Sequence, residues 1–265
     1  MKTRTNVLIF PGGSENALEI HAALSRQVNV TLFGLSSRSD HGELCYQNYR
    51  ADFPTIHAPE FELRLLEYIQ FNQIDVIFPT HDDVCVALAR LETPLTGPTS
   101  GHSFCRIAAP ALASTLLCRD KRETYRVLSK FEFCPQIYSN VDAAPFPLFA
   151  KPRTGQGGKG AMQLAQAQDV ALIAAPLNEY VLTEYLPGVE LTVDCFSDRH
   201  GKLRFVGPRT RERILGGISV RSSTVACSAE IQSIAQDIHN TIALRGLWYL
   251  QLKANAAGAW KLRLQ

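Results

Sequence analysis

Residues 149–160 read FAKPRTGQGGKG and join the end of an apolar run to a loop rich in glycine and lysine. The run Phe146–Ala150 predicts a strand that delivers Lys151, and four glycines follow within six residues. Glycine lets backbone N–H groups approach a ligand closely at positive φ, and lysine supplies point charges for phosphate. The stretch therefore predicts an anion-binding loop, and a glycine-rich hairpin with two solvated lysines is the alternative.

The spacing of this loop excludes two common phosphate motifs. Gly160 is followed by Ala161 and Met162, where a Walker A loop has lysine and then serine or threonine. The third glycine falls one position early for the dinucleotide pattern G-x-G-x-x-G. No third glycine follows Gly12 and Gly13 at that spacing either, which argues against a nicotinamide dehydrogenase.

Composition excludes several other classes of function. The 265 residues suffice for about two domains, and a net charge of +2 gives no electrostatic case for nucleic acid or an anionic membrane. Seven scattered cysteines without a CxxC pair indicate reduced thiols, not disulfides or a zinc site. The apolar run near the N-terminus is too short for a signal peptide, and no stretch reaches the length of a membrane span. We expect a cytoplasmic protein.

The first hundred residues alternate between predicted strands and helices, which is typical of a parallel sheet. The strands are 7–10, 28–34 and 74–79, and the helices are 15–25, 60–72 and 84–91. The loops Gly12–Glu15 and Thr80–Asp83 follow strands, so they line a substrate pocket or simply form a turn and a helix cap. Residues 97–103, GPTSGHS, predict a linker, and we place the domains at 1–100 and 101–265.

Five short segments follow in a fixed order beyond this linker. They are Asp120-Lys121, Lys151-Pro152-Arg153, Gly155–Gly160, the run Glu184-x-x-x-Gly188-x-Glu190 with Thr192-Val193-Asp194, and Gly246–Gln251. In order and spacing they resemble the ATP-grasp superfamily, in the branch similar to the large chain of carbamoyl-phosphate synthetase. The resemblance implies an α/β protein with a Rossmann-like, parallel-sheet domain before a two-lobed α+β ATP-grasp core. The lid lobe would span about 135–185 and the C-terminal lobe 186–265.

The resemblance also implies ATP and Mg²⁺ as cofactors and assigns roles to individual residues. Lys121 and Lys151 resemble the residues that hold the nucleotide phosphates, Glu184 the contact to adenine, and Glu190 the contact to ribose. The mobile loop over the phosphates would comprise Gly155, Gln156, Gly157, Gly158, Lys159 and Gly160. The cluster that faces the γ-phosphate and the acceptor would be Arg209, Arg211 and Arg221, unless these form a solvated basic loop. Gln251 matches a family position close to the metal.

The implied activity is ATP-dependent ligation of a small carboxylate to an amine through an acyl phosphate. A nucleotide-binding module that does not catalyse is the alternative. The family next requires a strand with a Glu-x-Asn pair for Mg²⁺, whereas here Trp260–Leu264 begins that strand and the sequence ends at Gln265. A shortened form of a longer ligase, a natural non-catalytic module, or completion by a partner chain would each explain this, and we expect the first. An unpaired strand edge also predicts association into a homo-oligomer.

Overall fold

A computed structural model describes residues 4–91, 105–141, 144–155, 157–215 and 217–264. The chain divides into two compact units, Met1–Thr115 (unit 1) and Leu116–Gln265 (unit 2). The linker predicted at 97–103 lies outside the described residues, so the domain boundary placed there stays a prediction. Among the described helices, none combines the length and the apolar character that crossing a bilayer requires.

Unit 1 alternates strands with helices, as the hydrophobic pattern predicts. Its strands are β1 (Thr5–Phe10), β2 (Val30–Leu35), β3 (Asn48–Arg50), β4 (Val76–Pro79) and β5 (Arg106–Ile107). Its helices are α1 (Glu15–Leu24), α2 (Phe61–Phe71), α3 (Asp82–Arg90) and the short 3₁₀ helix His41–Leu44, and α4 (Leu112–Arg119) runs across the unit boundary. The strands form one parallel sheet in the order β3-β2-β1-β4-β5, which confirms the predicted parallel domain.

The two faces of β1 explain why this sheet is buried. Leu8 and Phe10 belong to one apolar cluster and Val7 and Ile9 to another, because successive side chains on a strand point to opposite faces. Apolar residues at four consecutive positions therefore predict a strand that is covered on both sides. Ser14 caps α1 as predicted, since its Oγ accepts a hydrogen bond from the Ala17 N–H at 3.2 Å.

Two backbone hydrogen bonds at the sheet account for the turn after β1 and for the start of α4. Gly12 donates its N–H to the Leu35 carbonyl at 2.7 Å, which favours a structural turn at this position. Helix α4 begins only at Leu112, because the Ala108 N–H still extends the pairing with the sheet and bonds the Ile77 carbonyl at 2.8 Å.

Unit 2 contains two antiparallel sheets and a hairpin. Its strands are β6 (Ile137–Tyr138), β7 (Leu148–Pro152), β8 (Met162–Leu164), β9 (Tyr180–Glu184), β10 (Glu190–Ser197), β11 (Leu203–Thr210), β12 (Arg213–Leu215), β13 (Ile218–Arg221), β14 (Gly246–Ala254) and β15 (Trp260–Leu262). Its helices are α5 (Lys121–Leu128), α6 (Ala229–Ile242) and two short 3₁₀ helices, Ala167–Leu172 and Leu177–Glu179.

The sheets of unit 2 have the orders β6-β9-β7-β8 and β11-β10-β14-β15, and β12 pairs with β13. The buried stripe Ile231, Ile234, Ile238 and Ile242 on α6 joins the apolar cluster of the second sheet, as the helical spacing of these residues predicts. β7 lies inside the first sheet between β8 and β9. The strand that carries Lys151 is therefore held on both edges.

Candidate functional site

Lys151 is a buried ammonium group at the end of β7. The residue is only 4% exposed, and its Nζ donates hydrogen bonds to the Tyr125 hydroxyl and to the Leu264 carbonyl, each at 3.1 Å. Nζ also lies 5.5 Å from the ring centres of Tyr125 and Phe149, a cation–π distance. Burial, followed by the positive charges of Arg263 and Lys121, lowers the pKa of Lys151 to about 7. A nearby anion would restore its charge.

Lys121 is the first residue of α5 and is also buried, at 5% exposure. Its Nζ donates to the Gly155 carbonyl at 3.1 Å, and Arg119 donates to the same oxygen at 3.2 Å. Its backbone N–H bonds the Arg153 carbonyl at 3.0 Å. These bonds join the start of α5 to the chain just beyond β7, so both predicted phosphate-binding lysines lie in one structural corner.

Asp120 fixes this corner. Its Oδ1 caps α5 by accepting the N–H groups of Arg122 at 3.0 Å and Glu123 at 3.3 Å, and its Oδ2 accepts from Arg153 Nε at 2.6 Å. Burial alone would raise the pKa of Asp120, but the hydrogen bond from Arg153 and the helix N–H groups lower it below its usual value. The carboxylate is therefore a structural link between α5 and β7.

The glycine loop follows β7 and adopts backbone conformations that residues with a Cβ rarely adopt. Gly155, Gly157, Gly158 and Gly160 all have positive φ, from 66° to 136°, whereas Gln156 lies outside the described residues. A Cβ at Gly217 would lie 2.7 Å from the Gly157 backbone, so this loop touches the β12–β13 hairpin. Lys159 at the loop's end is exposed.

Two small pockets meet at Lys151. The lysine pocket, about 30 Å³, is lined by Lys121, Phe149, Lys151, Pro152, Gly155, Gly158, Lys159, Ala161, Arg263 and Leu264. The hinge pocket, about 20 Å³, is lined by Phe149, Lys151, Thr183, Glu184, Tyr185, Leu186, Lys253 and Arg263. Each volume holds a water molecule or two. A larger ligand therefore requires the loop or the chain near Leu264 to move outward.

The two predicted acidic residues have different surroundings. Glu184 ends β9, and its Oε1 accepts the Gln136 N–H at 2.9 Å beside the hinge pocket. Glu190 begins β10 and is nearly buried, with a side chain 11% exposed. Its Oε2 accepts from Arg263 Nη1, and its Oε1 lies 3.0 Å from Arg211 Nε in an ion pair that is not aligned as a hydrogen bond. Glu190 is thus held between two guanidinium groups.

The three predicted arginines have different surroundings. Arg211 is enclosed, with a side chain 4% exposed, and donates to Thr192 Oγ1 at 3.2 Å and the Gly217 carbonyl at 2.8 Å. Burial lowers its pKa below the usual arginine value. Arg209 binds the Asp194 carboxylate at 2.6 and 3.3 Å. Arg221 has a 77% exposed side chain that pairs with Glu212 at 2.9 Å. Only Arg211 shares an ion pair with another predicted site residue.

Gln251 lies on β14 directly beside Arg263, whose N–H donates to the Gln251 carbonyl at 2.8 Å. Mg²⁺ prefers carboxylate and other oxygen ligands, and the described residues contain no group of three or more His, Cys, Asp or Glu side chains that could hold a metal. The carboxylate that pairs with Arg263, on Glu190, is engaged by two arginines. The donor set around Gln251 therefore does not fit a protein-held magnesium ion.

Four residues of this region escaped the sequence prediction: Tyr125, Phe149, Lys253 and Arg263. Tyr125 lies four residues after Lys121 and Phe149 two residues before Lys151, so helical and strand periodicity could have placed both beside the lysines. Arg263 carries no such local signal. It reaches the site because β15 returns alongside β14, a pairing that brings it next to Gln251.

Comparison with known proteins supports one fold. A family model described as ATP-grasp in the biosynthetic pathway with Ter operon matches residues 176–263. No curated protein sequence matches the chain significantly.

Three solved structures are similar over nearly the whole chain. The biotin carboxylase domain of Hydrogenobacter thermophilus 2-oxoglutarate carboxylase, solved with MgADP and bicarbonate, has a TM-score of 0.72 at 12% identity. N5-carboxyaminoimidazole synthetase from Staphylococcus aureus, solved with ADP, has a TM-score of 0.75 at 14% identity. L-amino acid ligase from Bacillus licheniformis has a TM-score of 0.67 at 13% identity.

These matches cover 99% of this chain in each case, but only 63%, 70% and 66% of the respective neighbours. The chain thus spans about two thirds of the length of the proteins that it resembles. The likeness shows the ATP-grasp fold, as the sequence predicts. The carbamoyl-phosphate synthetase branch stays a prediction.

Proposed function

From this fold, we propose that unit 2 binds ATP, with the phosphates between Lys121 and Lys151 and beneath the glycine loop. The observation that carries the proposal is the lining of the lysine pocket, where four of ten described residues are basic and none is acidic. Two of these cations are buried, and an anion would stabilise both charges in a weakly hydrated corner. The glycines of the loop adopt positive φ, a conformation in which backbone N–H groups can donate hydrogen bonds to phosphate.

The base and the ribose extend from the phosphates toward the hinge pocket. Phe149, Lys151 and Arg263 line both pockets, so a single ligand can span them once the loop has opened. Adenine would lie beside Glu184 and the chain that follows β9. Glu190 would accept hydrogen bonds from the ribose hydroxyls, because a carboxylate has about four lone-pair sites and its two arginine partners leave some for a further donor.

The reaction proposed for this site is ligation of a small-molecule carboxylate to an amine. A carboxylate oxygen attacks the γ-phosphorus of ATP, the bond to the bridging oxygen breaks, and ADP leaves. The amine nitrogen then attacks the acyl carbon, a C–N bond forms, and phosphate leaves. Positioning and electrostatic stabilisation carry such chemistry, with Arg211 enclosed near the site and Arg209 and Arg221 on the neighbouring strands. The structurally similar proteins include a carboxylase and an amino acid ligase.

A second function, nucleotide binding without phosphoryl transfer, is favoured by one specific observation. The corner around Gln251 presents guanidinium and ammonium groups where phosphoryl transfer ordinarily uses Mg²⁺ between the phosphates. Without an ion that bridges the phosphates, positive side chains can hold ATP and yet leave the γ-phosphoryl group without its usual activation. The two functions share the binding step and differ only in turnover.

Calorimetric titration of the full chain with ATP and ADP tests the binding step. We expect one site per chain, with affinity reduced at least tenfold in Lys151→Met. Lys202→Met is the matched control, since Lys202 is an exposed lysine on a turn of the same unit. A folded protein that binds neither nucleotide, or a Lys202→Met variant as weak as Lys151→Met, would refute the proposed site.

Phosphate release separates the two functions. The full chain would be incubated with ATP, Mg²⁺ and a panel of small carboxylates and amines. Release that requires both a carboxylate and an amine supports ligation, whereas tight binding with no release across the panel supports the binding module.

A further inference from the structure

If the site binds nucleotide as proposed, a positive charge must neutralise the phosphates. Arg263 is the central residue. Its guanidinium carbon lies 5.3 Å from the centre of the Phe149 ring, its Nη1 pairs with Glu190, and its side chain lines both the lysine pocket and the hinge pocket. The side chain is 21% exposed, so it lies at the mouth of the buried corner and can face an incoming ligand.

The charges around Arg263 disfavour a divalent cation. Lys121, Lys151 and Lys159 line the same pocket, and none of its described lining residues is acidic. Like charges a few ångströms apart repel strongly in a weakly hydrated site, and a doubly charged ion would meet several such charges at once. The carboxylate that pairs with Arg263, on Glu190, is already held by Arg211 as well.

The same arrangement suits an anion. A guanidinium group offers a planar fork of N–H donors that matches phosphate oxygens, and an ammonium group supplies a point charge. Arg263, Lys121 and Lys151 line the same pocket and would give a phosphate two kinds of cationic partner without any metal. Arg263 directly follows β15, and the pairing of β15 with β14 and the bond from the Arg263 N–H to the Gln251 carbonyl fix its backbone before the ligand arrives.

We propose that this chain binds nucleotide phosphates without Mg²⁺, with the guanidinium of Arg263 supplying the positive charge that a metal ion supplies elsewhere. The ligand class is a free nucleoside di- or triphosphate. Magnesium would compete with the side chains for the phosphate oxygens and so would weaken binding or leave it unchanged.

The test is calorimetric titration of the full chain with ADP, once with excess EDTA and once with excess Mg²⁺. We expect the affinity in EDTA to be equal to that in Mg²⁺ within about threefold, or higher. An affinity at least tenfold higher in Mg²⁺ would overturn the inference while leaving nucleotide binding intact. No binding in either buffer by the folded protein would overturn both this inference and the proposed function.

A variant pair tests the role of Arg263. Arg263→Met should weaken metal-free ADP binding at least tenfold, whereas Lys261→Met should leave it unchanged. Lys261 is a suitable control, because it lies two residues earlier on the same chain segment and donates to the Glu132 carbonyl instead of lining either pocket. Equal affinities of the two variants would contradict the role of Arg263. The comparison of EDTA with Mg²⁺ in the unmodified chain decides the proposal even if Arg263→Met does not fold.

Discussion

Proton uptake on nucleotide binding follows from the environment of Lys151. Its pKa is lowered to about 7, first by burial and then by the charges of Arg263 and Lys121. At pH 8, one unit above that value, roughly nine tenths of the Lys151 side chains are neutral before binding. Phosphate beside the ammonium group favours its charged form and raises the pKa again. Binding should therefore take up about 0.9 proton per site at pH 8.

Titration calorimetry with ADP measures this uptake directly. The binding enthalpy is recorded at pH 8 in two buffers with different ionisation enthalpies, and its dependence on the buffer gives the number of protons exchanged. At pH 8 the terminal phosphate is itself ionised, since the second pKa of a phosphate group is about 6. Its titration therefore contributes little to the measured uptake.

Two variants assign the proton. Lys151→Arg keeps a positive charge that does not titrate in this range, so its uptake at pH 8 should fall close to zero. Lys202→Met, which alters an exposed lysine of the same unit, should retain the full uptake. The reasoning is refuted if the unmodified chain takes up less than about a third of a proton at pH 8, or if Lys151→Arg takes up as much as the unmodified chain.

The remaining predictions concern stability, and tryptophan fluorescence during urea unfolding reports them because both tryptophans lie in unit 2. Glu190→Gln removes the carboxylate between two guanidinium groups and should lower the free energy of unfolding by about 3 kcal/mol. A decrease below about 1 kcal/mol would show that Arg211 is not held by this ion pair. Asp120→Ala removes the N-terminal cap of α5 and should lower the free energy of unfolding by about 1–2 kcal/mol. An unchanged midpoint of urea unfolding would contradict this prediction. Gly217→Ala places a side chain at φ 85° against the Gly157 backbone and should lower the free energy of unfolding by about 1 kcal/mol or more. A variant as stable as the unmodified chain would argue against that close approach.

Local sequence patterns sufficed for the strands and helices that build the site's frame. The apolar runs at β1, β7 and β9 and the isoleucine stripe of α6 are short-range signals, and the structure has elements at each of these positions. Strand β11 and the β12–β13 hairpin had no such signal. All three residues of Arg213–Leu215 are exposed, so neither face of this strand is buried and its sequence shows no alternation of apolar and polar residues.

The composition of the site was less predictable than its frame. Lys151 could be chosen from the sequence because it stands at the end of an apolar run before a glycine-rich loop, whereas Lys121 was assigned only through the resemblance to the ATP-grasp superfamily. The ion pair of Glu190 with Arg263 joins residues 73 positions apart, and it depends on how β10, β14 and β15 pair. Sequence reasoning treated Glu190 as a free acceptor for ribose and did not anticipate two arginines at its carboxylate.

The most direct test of the account is an experimental structure of the full chain with bound ADP. The account predicts phosphates between Lys121 and Lys151 in contact with Arg263, and the adenine beside Glu184 in an opened hinge pocket. A nucleotide bound elsewhere in the chain, or phosphates that contact neither lysine, would contradict it.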